Sequence, residues 1–162
     1  MQIAVGSIRA ALALALVVTL HGAVAGEPVV VAQGPTAGSR ALCVALTPQA
    51  LGQITSASYA STNSQIDNAT LKHCEYRGGA NVVSVMLATG PDARTRFDTA
   101  AKFPGLQAVS GVGDQANWLP VRGMLSVRAG QRSVEVSVSA GHGTAAVRQQ
   151  MAVKIAQLAL GL

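Results

Sequence analysis

The two cysteines of the chain, Cys43 and Cys74, constrain its fold more than any other feature of the sequence. In an exported chain an even number of cysteines indicates a disulfide, and closing this loop of about 31 residues stabilises the fold by about 3–4 kcal/mol. A metal site is a weaker alternative, because His73, the residue next to Cys74, cannot easily bind the same metal ion as Cys74. A redox-active pair of cysteines would have the Cys-x-x-Cys spacing, which Cys43 and Cys74 lack. We therefore predict one structural disulfide, no metal and no cofactor.

The N-terminus supports export. Ala10–Leu20 is an apolar run with one polar residue, and Ala23-Val24-Ala25 follows it as a small-residue site for signal peptidase. The run is too short to cross about 30 Å of hydrocarbon as a helix, which takes about 20 residues. We predict a signal peptide over residues 1–25, cleaved after Ala25, and release of the mature chain into a periplasm or the extracellular space. The alternative is a signal that is retained as a membrane anchor.

The composition excludes several classes of protein. Of the 162 residues, 49% are hydrophobic and 12% are charged, which excludes an acidic disordered chain. The formal net charge is +5, and removal of Arg9 with the signal leaves 11 Lys and Arg against 7 Asp and Glu, or +4. This diffuse charge favours anionic surfaces but is too weak for a nucleic-acid footprint. We expect a partner protein or an anionic cell-envelope component, and no nucleic acid.

The mature chain has the length of one domain. Residues 26–39 are rich in proline and glycine and are predicted to be a flexible tether, and residues 40–162 form a single domain. A first helix is predicted over residues 48–54, because Thr47 is a good N-cap and Pro48 stands at the first helical position. Residues 55–70, rich in Ser, Thr and Asn, are predicted to be a surface loop.

Apolar patterns predict two further helices. One begins at Gly90-Pro91-Asp92, where Pro and an acidic residue suit the first turn of a helix. The other runs over Ala145–Leu160 after the N-cap Thr144 and ends at Gly161. The predicted buried stripes are Ala93, Phe97, Ala100 and Ala101 in the first of these helices, and Val147, Met151, Ile155 and Leu158 in the second.

Strands are predicted between the helices. Residues 71–76 and 81–88 form a hairpin around a Gly-Gly turn. Met124–Arg128 and Ser133–Ser139 alternate, with Val and Leu on one side and Ser, Arg and Glu on the other. The predicted fold class is α+β, in the order α-β-β-α-β-β-β-α, with the helices packed on one face of an antiparallel sheet. The other face is expected to be partly open.

Three short motifs carry a resemblance to a known family: Cys43-x-x-Leu46-Thr47-Pro48, Cys74-x-Tyr76 and Gly111-Val112-Gly113-Asp114-x-Ala116. The pattern resembles a family of exported bacterial domains of unknown function, mainly actinobacterial lipoproteins, distantly similar to the extracellular sensor domain of a mycobacterial Ser/Thr kinase. The resemblance covers about Ala41–Leu160 and implies a disulfide-linked α+β sandwich that binds ligands or partners, without established catalysis. The chain lacks a cysteine beside its cleavage site, so no stable membrane anchor is expected after cleavage.

A catalytic site is not indicated. The mature chain has two histidines, His73 and His142, and its carboxylates are spread singly, with no motif of a known hydrolase. His142 lies between two glycines at a helix entry, where an exposed capping role is the common outcome. His73 should point away from the side of its strand that bears Cys74 and Tyr76. A hydrolase remains a third hypothesis, which requires one of these histidines to meet a serine and a carboxylate.

A binding surface is the leading hypothesis. Trp118 precedes Arg122, and Arg128 and Arg132 flank a hairpin tip, and an aromatic residue beside arginines is typical of interface anchors and of anion sites. The competing interpretation is that Trp118 fills the edge of the sheet while the arginines are merely solvated. We expect a secreted, non-enzymatic module that binds its partner on the open sheet face.

A small-molecule sensor or carrier is the alternative. It would hold its ligand in an apolar pocket between the helices and the sheet, with Tyr59, Tyr76 and Met86 as candidate lining residues. Such pockets typically have volumes of about 300 Å³ or more.

Overall fold

The structure, a computed structural model, describes residues 42–161, without the side chains of residues 61–65 and 67. The predicted signal peptide, residues 1–25, and the predicted tether, residues 26–39, lie outside the described residues.

The described residues form an α+β fold around one antiparallel sheet, as predicted. Seven strands follow one another across the sheet in the order β1-β2-β3-β7-β6-β5-β4. The strands are β1 (Ser61–Asp67), β2 (Leu71–Gly78), β3 (Asn81–Thr89), β4 (Gln107–Ala108), β5 (Gln115–Leu119), β6 (Met124–Ala129) and β7 (Arg132–Val138). The helices are α1 (Leu42–Ala45), α2 (Pro48–Thr55), α3 (Pro91–Ala100) and α4 (Ala145–Leu160), with a 3₁₀ turn over Ala140–His142.

Two meanders build the sheet, and the pairing of β3 with β7 joins them. Val85 lies opposite Val136 and Met86 lies opposite Glu135 in this pairing. The valines face one side of the sheet and the other two residues face the opposite side, because successive side chains of a strand alternate. The alternation predicted for the hairpin of β6 and β7 is confirmed.

The main core lies on the valine side of the sheet. Val83, Val85, Val134, Val136 and Val138 are at most 1% exposed there. Helices α1, α2 and α4 cover this side. The predicted start of α2 is confirmed, since the Thr47 hydroxyl accepts a hydrogen bond from the backbone N–H of Ala50.

The third helix differs from the expectation that all helices share one face. The buried residues of α3 pack against the side of the sheet that carries Met86 and Ala88. Ala93 joins a small second cluster there, with Leu71 and Ala88. Among the described helices, three cover the valine side of the sheet and α3 lies over the polar side.

Two further predictions are corrected. Residues 55–70 are not a loop throughout, because they contain strand β1, which pairs with β2 and lies at the edge of the sheet that the described strands form. The predicted inner stripe of α4 is wrong at Val147 and Leu158, which are 40% and 38% exposed. The residues that α4 buries are Ala152, Ile155, Ala156 and Leu160.

The predicted disulfide is confirmed. It joins Cys43 of α1 to Cys74 of β2, with the Cα atoms 5.8 Å apart, inside the usual range for such a bond. Cys74 is fully buried in the main core. The bond therefore ties the first helix to an inner strand of the sheet.

Replacing both cysteines by alanine should lower the free energy of unfolding by about 3–4 kcal/mol, since the unfolded chain regains the entropy of an open loop. Urea unfolding followed by circular dichroism measures the difference. A double variant within about 1 kcal/mol of the wild type would contradict a stabilising role.

Candidate functional site

The structure separates the residues that were predicted to form one binding surface. Trp118 is 1% exposed and lies in the main core, where its strand position faces Leu125 on β6. Arg128 projects from the opposite side of β6, because it alternates with the buried Val127. Trp118 is therefore part of the core and not of an exposed surface.

The arginines have different surroundings. The guanidinium carbon of Arg122 lies 4.7 Å from the ring centroid of Phe103, and that of Arg128 lies 5.9 Å from the ring centroid of Phe97. Both distances are within the range of cation–π contacts.

Arg132 is the first residue of β7 and is half-buried. It lies opposite Thr89 of β3 and Ala129 of β6. The polar face thus gathers Arg122 and Arg128 beside α3, but not Trp118.

A groove between α3 and the strands β6 and β7 is the best candidate site on this face. It has a volume of about 390 Å³, and we call it the α3 groove. Its lining residues are Thr95, Arg96, Thr99, Ala100, Phe103, Arg122, Met124 and Glu135.

Sheet register explains how Glu135 reaches the α3 groove. Glu135 alternates with Val134 and Val136 on β7, so the valines enter the main core and the glutamate faces α3. Met86 lies opposite it on β3 and Ser126 opposite it on β6. Three polar or sulfur-bearing side chains therefore stand in one row beneath α3.

Arg96 reaches down from α3 to this row. Its guanidinium donates a hydrogen bond of 2.9 Å to the thioether sulfur of Met86, which is a weak acceptor. Arg77 pairs with Glu75 and Arg94 pairs with Asp98, whereas no ion pair with a described carboxylate includes Arg96 or Arg122. Arg96 and Arg122 therefore face the groove without a carboxylate bound to either of them.

Glu135 is half-buried on the floor of the groove. Burial raises the pKa of its carboxyl group, and the positive charges of Arg96 and Arg122 act in the opposite direction. Ser126, opposite it, is 4% exposed, and its hydroxyl has no hydrogen-bond partner among the described residues. Ser126 lines a cleft of about 10 Å³, and Arg96 and Glu135 line both this cleft and the groove. A half-buried carboxyl group and an unpaired hydroxyl group thus lie next to each other on the polar face of the sheet.

Two of these residues, Arg96 and Glu135, were not singled out from the sequence. A glutamate set among buried valines is a detectable signal, because a half-buried carboxylate needs compensation from its surroundings. Arg96 had no such signal, since its approach to β7 depends on which face α3 covers.

The residues proposed for an internal pocket do not share a cavity. Tyr59 and Tyr76 meet edge to face in the main core, with their ring centroids 6.3 Å apart. Met86 lies on the other side of the sheet, beside α3. Burial raises the pKa of Tyr76 to about 12.

His142 has a buried role in place of the exposed one that was expected. It is 8% exposed, and its Nε2 lies 3.1 Å from the Tyr59 hydroxyl. That hydroxyl donates to Thr55 Oγ1, which itself donates to the carbonyl of Leu51. Because both hydroxyl protons are used, His142 must donate from Nε2. The neutral ring closes a chain of hydrogen bonds.

His73 points to the polar face, as predicted, and its Nε2 lies 2.7 Å from Ser84 Oγ. The nearby carboxylate of Glu75 is bound by Arg77 instead. Within the described chain, each histidine meets a hydroxyl group, and the hydrogen bonds supply neither with a carboxylate partner.

Residues 42–161 lack both a metal-binding cluster and a membrane-spanning helix. They contain no cluster of three or more His, Cys, Asp or Glu side chains that could hold a metal ion. No helix in this part of the chain has the length and apolar character needed to span a bilayer.

Comparison of the chain with family models, curated proteins and solved structures gives no match. The family resemblance carried by the cysteine and glycine motifs therefore stays a prediction.

Replacing Trp118 by alanine should lower the free energy of unfolding by about 3–5 kcal/mol, because it removes a buried aromatic side chain from the core. Arg122→Ala, at an exposed position, serves as the comparison and should change stability by less than about 1 kcal/mol. Denaturant midpoints measure both. A Trp118→Ala variant as stable as Arg122→Ala would contradict the core assignment.

The buried histidine predicts a pH dependence of stability. Burial lowers the pKa of His142 below its usual 6.5, so between these two values the unfolded chain binds more protons than the folded one. The stability contributed by the neutral ring is complete above about pH 6.5 and is lost as the pH falls through the folded-state pKa, at no more than about 1.4 kcal/mol per pH unit. Melting temperatures between about pH 8 and pH 5 should fall less for His142→Gln than for the wild type. Parallel curves would contradict this role.

Proposed function

We propose that the chain is an exported, non-catalytic binding module, whose α3 groove binds an anionic group of a partner protein or of a cell-envelope component. In this proposal the signal peptide is cleaved after Ala25, and the mature domain works in a periplasm or outside the cell.

The Cys43–Cys74 disulfide supports a location outside the cytosol. Disulfides persist in oxidising compartments and are rare where glutathione and thioredoxin keep thiols reduced. The choice between a periplasm and the extracellular space belongs to the proposal, as does the identity of the partner.

One observation carries the binding proposal: two guanidinium groups line a single groove, and neither forms a close ion pair with a carboxylate. Arg122 is held in place against the Phe103 ring, which reduces the entropy that it loses when it binds a ligand. A guanidinium offers a planar set of donors that matches the two oxygens of a carboxylate or the oxygens of a phosphate. The groove therefore supports recognition of an anion.

The apolar wall of the groove supports a ligand with an apolar portion beside its anionic group. Phe103 and Met124 line the groove together with the two arginines. Its volume of about 390 Å³ lies within the range typical of small-molecule sites, about 300–1,000 Å³. This observation favours the sensor or carrier as a second candidate function, at the α3 groove and not around Tyr59 and Tyr76.

Binding of 3-phenylpropionate, a carboxylate with an aromatic group, tests the proposal. We expect Arg96→Ala and Arg122→Ala each to weaken its affinity about tenfold or more, because each removes charge-assisted hydrogen bonds worth about 1.5–3 kcal/mol. Nuclear magnetic resonance titration measures the affinity and locates the shifted resonances.

Arg94→Ala is the matched control, since Arg94 belongs to α3 but pairs with Asp98 and does not line the groove. It should bind as the wild type does. Unchanged binding in an Arg96→Ala/Arg122→Ala double variant that melts like the wild type would overturn the assignment of the groove.

A further inference from the structure

We infer that the α3 groove selects a zwitterion, an α-amino acid with an apolar side chain, with its carboxylate on Arg96 and Arg122 and its ammonium group on Glu135. This inference rests on the proposed function, because it requires the groove to be a binding site.

Glu135 is the residue that an anion site alone does not explain. Its negative charge repels a carboxylate bound in the groove and weakens the attraction of the two arginines for an anionic ligand. The charges of Arg96 and Arg122 act on Glu135, but Glu135 forms no close ion pair with either arginine. A positively charged group of the ligand would supply the close ion pair that this half-buried carboxylate does not make with either arginine.

The threonines of the groove fit an ammonium group better than an anion. The Thr95 hydroxyl donates to the carbonyl of Pro91 at 3.2 Å, and the Thr99 hydroxyl donates to the carbonyl of Thr95 at 2.7 Å. With their protons used inside α3, both hydroxyl oxygens can only accept hydrogen bonds from a ligand. Donors for an anion therefore come from Arg96 and Arg122.

The remaining walls of the groove fit an apolar side chain. Phe103 is half-buried and its ring carries Arg122, while Met124 is 6% exposed at the start of β6. The cationic, anionic and apolar parts of the groove together match the three parts of an amino acid. Burial raises the pKa of Glu135 although Arg96 and Arg122 act in the opposite direction, so an ammonium group in direct contact would add to the compensation that the arginines provide.

Three related probes separate the contributions: L-phenylalanine, 3-phenylpropionate, which lacks the ammonium group, and 2-phenylethylamine, which lacks the carboxylate. Calorimetric titration of the full chain near neutral pH should show L-phenylalanine binding at least about tenfold more tightly than either of the others. That factor corresponds to one charge-assisted contact.

Glu135→Gln tests the assigned partner of the ammonium group. It should remove the preference, by weakening L-phenylalanine about tenfold while leaving 3-phenylpropionate as tight as before or tighter. Glu75→Gln is the matched control, because Glu75 is a carboxylate on the same sheet face whose partner is Arg77. It should leave all three affinities unchanged. Melting curves establish that both variants are folded.

The two proposals fail in different ways. If 3-phenylpropionate binds to the wild type as tightly as L-phenylalanine, and the arginine variants weaken it, the zwitterion inference is overturned while the anion site stands. If L-phenylalanine is preferred but Glu135→Gln keeps that preference, the assignment of Glu135 is overturned. If none of the three probes binds, both proposals are overturned for ligands of this size.

Discussion

The pairing of β3 with β7 is the interaction on which the rest of the structure depends. It joins two meanders into one sheet, and its register decides which side chains share a face. On one face this register places valines together as the floor of the main core. On the other face it places Met86 beside Glu135 beneath α3. A shift of one residue would send the glutamate into the core, so the site and the core are fixed by the same hydrogen bonds.

Much of the fold follows from local sequence patterns. The disulfide, the starts of α2 and α4, and the alternating hairpin of β6 and β7 each depend on residues close together or on one covalent constraint. Strand β1 was not predicted because it is rich in Ser, Thr, Asn and Gln, and among the described strands it pairs with β2 and no other. In α4 apolar residues occur all round the helix. Small alanines allow close approach to the sheet, and the larger Val147 stays outside.

The candidate site was harder to predict than the fold. Arg122 and Arg128 were selected for their neighbours in sequence, and the structure gives each a phenylalanine ring from the α3 region in place of Trp118. The strand alternation that puts Arg128 on the polar face puts Trp118, on the neighbouring strand, in the core. Arg96 and Glu135 come together only because α3 crosses the polar face, a tertiary choice that no local pattern specifies.

The disulfide also determines how the domain responds to mechanical tension. A force applied to the backbone before Leu42 reaches Cys43 and passes through the sulfur atoms into β2. Because β2 is hydrogen-bonded on both sides, to β1 and to β3, the load falls on two ladders at once. The short helices need not unfold before the sheet bears the load. An external pulling force therefore acts on the domain through an inner strand of its sheet.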